Sequence, residues 1–209
     1  MHMKYDAFIQ QFSAAPWVET QDVGVWSDKP LRYIQIRLSQ WVREGKLIQL
    51  RRGKYLLPAA YRRQQPSNFT LSNQLYRPSY VSMESALAFY GMIPETVPVV
   101  QCITTRLTKK WQTPIGSFAF YNMKQDRFFG YKLVPFTATE SFYCATPEKA
   151  LADLFYMKKG DWPETRILEL RLQNPEKINM KKLKKVGKTM GSKKVMKAID
   201  TLIEVENQL

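Results

Sequence analysis

Ser27-Asp28-Lys29-Pro30-Leu31-Arg32-Tyr33-Ile34-Gln35-Ile36-Arg37-Leu38-Ser39-Gln40-Trp41-Val42-Arg43-Glu44-Gly45 is the stretch on which the architecture of this chain turns. A capping side chain followed by proline in the first turn is a helix-start signal, because proline's missing N–H costs nothing there. From there to about Glu44, Leu31, Ile34, Leu38, Trp41 and Val42 recur at helical spacing and form one apolar stripe. Gly45 closes the helix as a left-handed cap. With Leu38 at the centre and about 100° per residue, Leu31, Ile34, Trp41 and Val42 all fall within about 60° of it. On the far side lie Lys29, Arg32, Tyr33, Ile36, Gln40 and Arg43, a face with basic, amide, aromatic and aliphatic groups and no acid.

The flanking segments give this helix its company. Upstream, Tyr5, Phe8, Ile9 and Phe12 predict a short amphipathic helix that Pro16 stops. Thr20 is a candidate cap for a second short helix through Val25, with Val18, Val23 and Val25 available to a core. Downstream, Leu47-Ile48-Gln49-Leu50 and Tyr55-Leu56-Leu57 flank Arg51-Arg52-Gly53-Lys54, which reads as a β-hairpin ended by Pro58. Helix, short helix, long helix and basic-tipped hairpin is the element order of a winged helix-turn-helix. Arginine and glutamine are the side chains that read guanine and adenine edges in a major groove, and apolar surface meets the thymine methyl. Arg51, Arg52 and Lys54 at the hairpin tip are expected to grip phosphates or probe the minor groove. The partner this implies is double-stranded DNA.

Composition points the same way. The 209 residues carry 32 Lys and Arg against 18 Asp and Glu, for a formal charge of +14. Residues 1–65 hold 11 basic and 5 acidic side chains, residues 66–157 hold 8 and 6, and residues 158–209 hold 13 and 7. Two basic ends flank a nearly neutral middle, and such segregation points to surfaces meant for an anionic partner. The single histidine, His2, lies in a Met1-His2-Met3 opening that reads as a cloning remnant, so a Ser-His-Asp triad, a Cys-His nucleophile and a His-rich zinc site are excluded. Only two cysteines, Cys102 and Cys144, argue against a disulfide scaffold and for a reducing compartment. No apolar run reaches membrane-spanning length and no signal-peptide pattern opens the chain, so the cytoplasm is expected and a membrane partner is not.

Beyond a polar stretch at 60–70, read as a linker, the pattern changes. Residues 81–91 predict a helix closed by Gly91. Strands are expected over 97–105, 116–121, 128–133 and 142–144, and Thr146-Pro147-Glu148 opens another helix whose buried face is Ala150, Leu151, Leu154 and Phe155. The remainder is expected to be helical, with Leu168, Leu170 and Leu172, then Leu183, Val186 and Met190, then Val195, Ile199, Leu202 and Ile203 inward. The fold class is therefore α+β: a winged helix-turn-helix at 1–59, the linker, a mixed α/β core at 71–157, and a basic helical segment at 158–209 of the same domain. Lys181, Lys182, Lys184, Lys185, Lys188, Lys193 and Lys194 in that segment are either a solvated face around a buried stripe or a second phosphate-contacting surface.

Two sets of residues carry a resemblance. Leu38-Ser39-Gln40-Trp41-Val42, Gly45-Lys46-Leu47-Ile48 and Arg51-Arg52-Gly53-Lys54-Tyr55 resemble the N-terminal winged helix of the AbiEi-like antitoxins of type IV toxin–antitoxin systems. Tyr80-Val81-Ser82, Ser85-Ala86-Leu87, Tyr90-Gly91, Phe129-Gly130-Tyr131 and Ala145-Thr146-Pro147-Glu148-Lys149-Ala150-Leu151-Ala152-Asp153-Leu154 are similar to the antitoxin domain of that family. The resemblance spans about residues 5–157. It implies a transcriptional autorepressor that binds inverted repeats in its own promoter, as a dimer or as two monomers meeting on DNA. It also implies an antitoxin that opposes a nucleotidyltransferase-like toxin without a stable complex, and no enzyme.

Catalytic chemistry finds little support in the residues themselves. The six acids of the middle segment (Glu84, Glu95, Asp126, Glu140, Glu148, Asp153) form no Asp-x-Asp pair, and no phosphate-binding glycine loop is present. No catalytic residue, metal ligand or cofactor is assigned. Glu148 is explained by the helix dipole, and Lys149 with Asp153 reads as an ordinary pair four residues apart. Two other readings stay open: a winged-helix regulator whose second domain binds a small ligand, and a nucleic-acid-modifying enzyme tethered by a winged helix.

Overall fold

Phe8 and Phe12 lie four residues apart on one helical face, and both turn inward in the structure, a computed structural model that describes residues 3–138 and 140–208. His2 lies outside the described residues. Among those residues the chain is mixed α+β, with nine α-helices and two sheets. It divides into two compact units, one formed by residues up to Ser67 with Thr113–Ile115, the other by Asn68–Gln112 and Gly116 onward.

In the first unit, α1 (Tyr5–Phe12) is followed by β1 (Val18–Glu19), α2 (Thr20–Ser27), α3 (Leu31–Arg43), β2 (Ile48–Arg51) and β3 (Lys54–Leu56). The three strands form one antiparallel sheet in the order β1-β3-β2. Its core is aromatic: the Phe8 ring lies 4.9 Å from Trp41 and 4.8 Å from Phe12, with Val18, Val23, Ile34, Leu38 and Leu47 around them. Burying rings of this size supplies most of the drive for so small a unit.

Local signals fall slightly off the expected residues. The cap of α2 is Glu19 rather than Thr20, because Glu19 and Asp22 form a reciprocal capping box in which the Glu19 N–H donates to the Asp22 carboxylate at 2.9 Å. Ser27 does not cap α3 either: its hydroxyl donates to the Val23 carbonyl at 2.7 Å, Asp28 turns left-handed at φ 48°, and Pro30 occupies the cap position. Val25, expected in the core, is 90% exposed. Gly45 is left-handed at φ 69° just past the end of α3, as a closing glycine should be.

The second unit is built on a six-stranded mixed sheet in the order β6-β7-β5-β4-β9-β8. Its strands are β4 (Ser79–Val81), β5 (Val99–Thr104), β6 (Lys109–Thr113), β7 (Gly116–Asn122), β8 (Tyr131–Pro135) and β9 (Ser141–Ala145). Pairs β4–β9 and β5–β7 are parallel, while β4–β5 and β8–β9 are antiparallel. Its helices are α4 (Asn68–Leu75), α5 (Met83–Phe89), α6 (Pro147–Met157), α7 (Glu164–Leu168), α8 (Met180–Met190) and α9 (Lys193–Glu206).

Helix α4 starts inside the stretch read as a linker, and it buries Thr70, Ser72 and Asn73 beside Leu71 and Leu75. Helix α6 is inside on nearly every side from Glu148 to Phe155, not on one stripe only. In α7 the inward residue is Ile167, and Leu168 is 48% exposed. Helices α8 and α9 meet closely at Gly187, where an added Cβ would come within 2.5 Å of Ile199 Cδ1 and 2.8 Å of Met196 Sδ. Among the described residues no helix is long and apolar enough to cross a membrane.

Candidate nucleic-acid interface

Helix α3 buries Ile34, Leu38 and Trp41 at 0–1% exposure. Ile34 and Trp41 both sit on the same side of Leu38, so the centre of the buried stripe is rotated about 30–35° from Leu38 toward them. That rotation has consequences on both flanks. Leu31, expected inside, is 59% exposed. Tyr33, expected on the reading face, turns half-inward: its hydroxyl accepts from the Met3 N–H at 3.2 Å and its ring packs against the core. Gln35 and Ser39, unassigned by the sequence, come out to the surface.

The exposed face of α3 therefore consists of Leu31, Arg32, Gln35, Ile36, Ser39 and Arg43, without a carboxylate. Lys29 and Gln40 are half-buried. The Gln40 side-chain Oε1 accepts from Arg37 Nη1 at 2.9 Å, and the Arg37 guanidinium lies 5.1 Å from the Trp41 ring centre. Gln40 is thereby committed to the helix's own surface. Just beyond α3, Glu44 is held below the ordinary carboxylate value by its hydrogen bond to Lys46 first, and to a lesser degree by one from Gln40.

At the hairpin, Arg52 is exposed in the turn before left-handed Gly53 and Arg51 is half-buried on β2. Lys54 departs from expectation. Only 5% of its side chain is exposed; it is paired with Glu19, and its ammonium lies 5.4 Å from the Trp17 ring centre. Glu19 also accepts from Trp17 Nε1 at 3.3 Å. Lys54 thus ties the foot of the hairpin to β1 and is not available to a phosphate. The ion pairs of this unit, among the described residues, are Lys54–Glu19 and Lys46–Glu44, so the guanidinium groups of Arg32, Arg43 and Arg52 are not neutralised by a salt bridge.

The basic run of the second unit is similarly sorted. Lys181, Lys184, Lys185, Lys188 and Lys193 are exposed around the stripe of Leu183, Val186 and Met190. Lys182 pairs with buried Glu148 at 3.3 Å. Lys194 is half-buried, with its ammonium on the Tyr156 carbonyl at 3.4 Å and on the Lys158 carbonyl, and burial lowers its pKa. Lys194 thus belongs to the packing of the unit, while Lys182 is exposed but has its charge answered by Glu148.

Lys149 and Asp153 are no ordinary surface pair. Both side chains are 0% exposed and joined, and the Asp153 carboxylate also accepts from Ser82 Oγ at 2.8 Å and Tyr80 Oη at 3.1 Å. Burial raises the Asp153 pKa, with Lys149 and the two hydroxyls opposing it, and burial followed by Asp153 raises Tyr80 well above its usual value. The group is sealed, with the Lys149 ammonium paired to Asp153 and set against the Phe129 and Tyr80 rings at 5.0 and 5.7 Å, which reads as a core arrangement. Cys102 and Cys144 are buried free thiols pushed up to about 12, chiefly by burial. Among the described residues no three His, Cys, Asp or Glu side chains gather into a metal-binding group.

No family model matches the chain, and none of the curated proteins matches it.

Proposed function

We propose that residues 3–67 are a winged helix-turn-helix that binds double-stranded DNA, with α3 in the major groove and the β2–β3 turn on the adjacent backbone. The observation that carries this is the exposed face of α3, where Arg32, Gln35, Ile36, Ser39 and Arg43 lie together with no carboxylate and no salt bridge. Three of the five acids of the unit are engaged elsewhere. Glu19 and Asp22 cap α2, and Glu44 is tied to Lys46. A face meant only for solubility has no reason to exclude one sign of charge and keep an isoleucine at 59% exposure.

On this reading the chain is a transcriptional autorepressor and antitoxin acting in the cytoplasm. It binds inverted repeats upstream of its own gene and opposes a nucleotidyltransferase-like toxin without a stable complex. The antitoxin half rests on the resemblance of the strings at 80–91, 129–131 and 145–154 to the type IV antitoxins. The reader residues become Arg32, Gln35, Ile36, Ser39 and Arg43, with Arg52 as the phosphate contact of the turn.

Binding of a fluorescent duplex by the Arg32→Ala and Arg43→Ala chains tests the groove assignment. A bidentate base contact is worth about 1–3 kcal/mol, so each loss should fall on the cognate duplex and spare a shuffled one. Equal losses on both would refute it. Co-expression with the toxin tests the other half: a chain lacking residues 1–65 should still protect cells at least in part. Complete loss of protection by a folded truncated chain would place neutralisation in repression.

A further inference from the structure

Strand β8 ends the six-stranded sheet, and among the described residues β9 is its one strand partner. In an antiparallel ladder, residues alternate between exchanging backbone bonds with the partner strand and turning those groups away from it. The Thr146 N–H donates to the Gly130 carbonyl at 2.9 Å and the Phe136 N–H to the Glu140 carbonyl at 2.8 Å, which puts the even-numbered residues of β8 onto β9. The N–H and C=O groups of Tyr131 and Leu133, and the Pro135 carbonyl, therefore point out of the sheet. Proline is tolerated there because β9 takes no N–H from position 135.

Natural edges are usually blunted by charge, bulges or a covering segment. This one carries apolar side chains. Leu133, at its middle, is 57% exposed; Tyr143, opposite it across the ladder, is 47% exposed. Tyr131 shares that face, with its ring centre 5.8 Å from that of Tyr143. Lys132 is exposed on the other face of the strand, and neither β8 nor β9 contains a carboxylate. An open edge with an exposed apolar row is a strand-pairing surface.

We propose that β8 pairs antiparallel with β8 of a second copy of this chain, about a two-fold axis through Leu133. The pattern of outward groups is complementary to itself. The two Leu133 residues exchange both of their bonds, and each Tyr131 N–H meets the Pro135 carbonyl of the other copy, so every outward N–H of the two strands has an acceptor. Leu133 lies against Leu133 between two tyrosine–proline contacts, and Lys132 lies opposite the other copy's Val134. Moving the axis by one residue, to Lys132, would set two ammonium groups directly against each other, which is unfavourable. Five residues a side cover much less than the roughly 1,600 Å² of a standard interface, so the pair forms reversibly. A two-fold pair has the symmetry of an inverted repeat. The association concerns the second unit and is measured without DNA, so its failure and that of the DNA-binding reading are told apart.

The test is sedimentation equilibrium of the full chain, without DNA, up to millimolar concentration. A monomer–dimer equilibrium is expected, and it should tighten as salt rises, because two chains of charge +14 repel each other. Binding to DNA has the opposite salt dependence. Leu133 is exposed and bonds nothing on β9 through its backbone, so Leu133→Lys and Leu133→Glu should melt close to the parent chain. On the axis each variant meets its own charge, so each alone should associate about tenfold more weakly or worse, and an equimolar mixture should recover the dimer. Independently, Leu133→Cys should cross-link to itself on mild oxidation, the native cysteines being buried, while Pro135→Cys, four positions out of register with its own copy, should not. A chain that stays monomeric throughout overturns the proposal. So does a mixture that associates no better than the single variants, or cross-linking as fast at 135 as at 133.

Discussion

Replacing Asp153 by Asn removes one charge from a pair that is entirely inside the second unit and leaves the Lys149 ammonium without a counter-charge, facing only the Phe129 and Tyr80 rings. The Asn carbonyl still accepts from Ser82 and Tyr80, so the hydroxyl bonds survive and the charge alone is changed. Breaking a buried pair by removing one partner costs about 3–5 kcal/mol, because the remaining ion stays desolvated. One factor of ten corresponds to about 1.4 kcal/mol, so the opening equilibrium around α6 should rise between about a hundredfold and a few thousandfold. Amide hydrogen exchange on peptides from 147–157 reads that equilibrium locally, without interference from the first unit. Lys149→Met combined with Asp153→Asn removes both charges, and since apolar replacement of a buried pair is often near neutral, most of the loss should be recovered. Acceleration of tenfold or less in Asp153→Asn, or a double variant as unstable as the two single losses added together, would refute the view of this pair as a mutually dependent core element.

Three further outcomes follow from the same geometry. Arg52→Ala should lower the slope of log affinity against log salt by about one, while Lys54→Met should leave the slope unchanged; measurement of both slopes checks that Lys54 belongs to the fold. Cys102 and Cys144, raised to about 12, carry so little thiolate at pH 8 that iodoacetamide should label the native chain about a thousandfold more slowly than an ordinary cysteine; labelling at the ordinary rate before unfolding would contradict their burial. Glu148 sits below the ordinary carboxylate value: burial raises it, but its backbone hydrogen bonds, Thr146 and Lys182 together lower it further. Its contribution is therefore present above the unfolded pKa and disappears as pH falls through the lower folded one. The acid limb of urea stability should accordingly be shallower in Glu148→Gln, and an unchanged limb would show that Glu148 is not depressed.

Where one apolar face dominated, or proline and a capping side chain opened a helix, the sequence was readable. The stripe of α1 with Phe8 and Phe12, the stripe of α8, and the proline-opened α6 all lie where periodicity and capping put them. The second unit hid more. Helix α4 buries threonine, serine and asparagine, which carry no apolar period, so it was indistinguishable from a linker. Strand β6 exposes lysines at a sheet edge, where alternation is not required. Lys149 and Asp153 look like any solvated pair until the surrounding strands are known, because burial of α6 on all sides is a tertiary fact.

For the candidate interface the limits were finer. That α3 carries a basic face without acids was legible; which residues occupy it was not fully so. A tilt of about 30° in the buried stripe, toward Ile34 and Trp41, moves Gln35 and Ser39 outward and Tyr33 inward, while Gln40 is taken up by its hydrogen bond from Arg37. Lys54 shows the other limit. A lysine beside Arg-Arg-Gly reads as a hairpin tip, yet its cross-strand neighbour on β1 is Glu19, and the pairing of β1 with β3 decides where its ammonium goes.

DNA binding by sequence is the central claim, and one titration addresses it most directly. The full chain is titrated against the duplex immediately upstream of its gene and against a shuffled duplex of equal composition, over a fourfold range of salt. If about six phosphates are contacted, affinity for both should fall roughly a thousandfold across that range. The expected result is a preference for the upstream duplex that persists at every salt concentration. Equal affinity for both duplexes, lost together as salt rises, would contradict it and leave only the attraction of a basic protein for a polyanion.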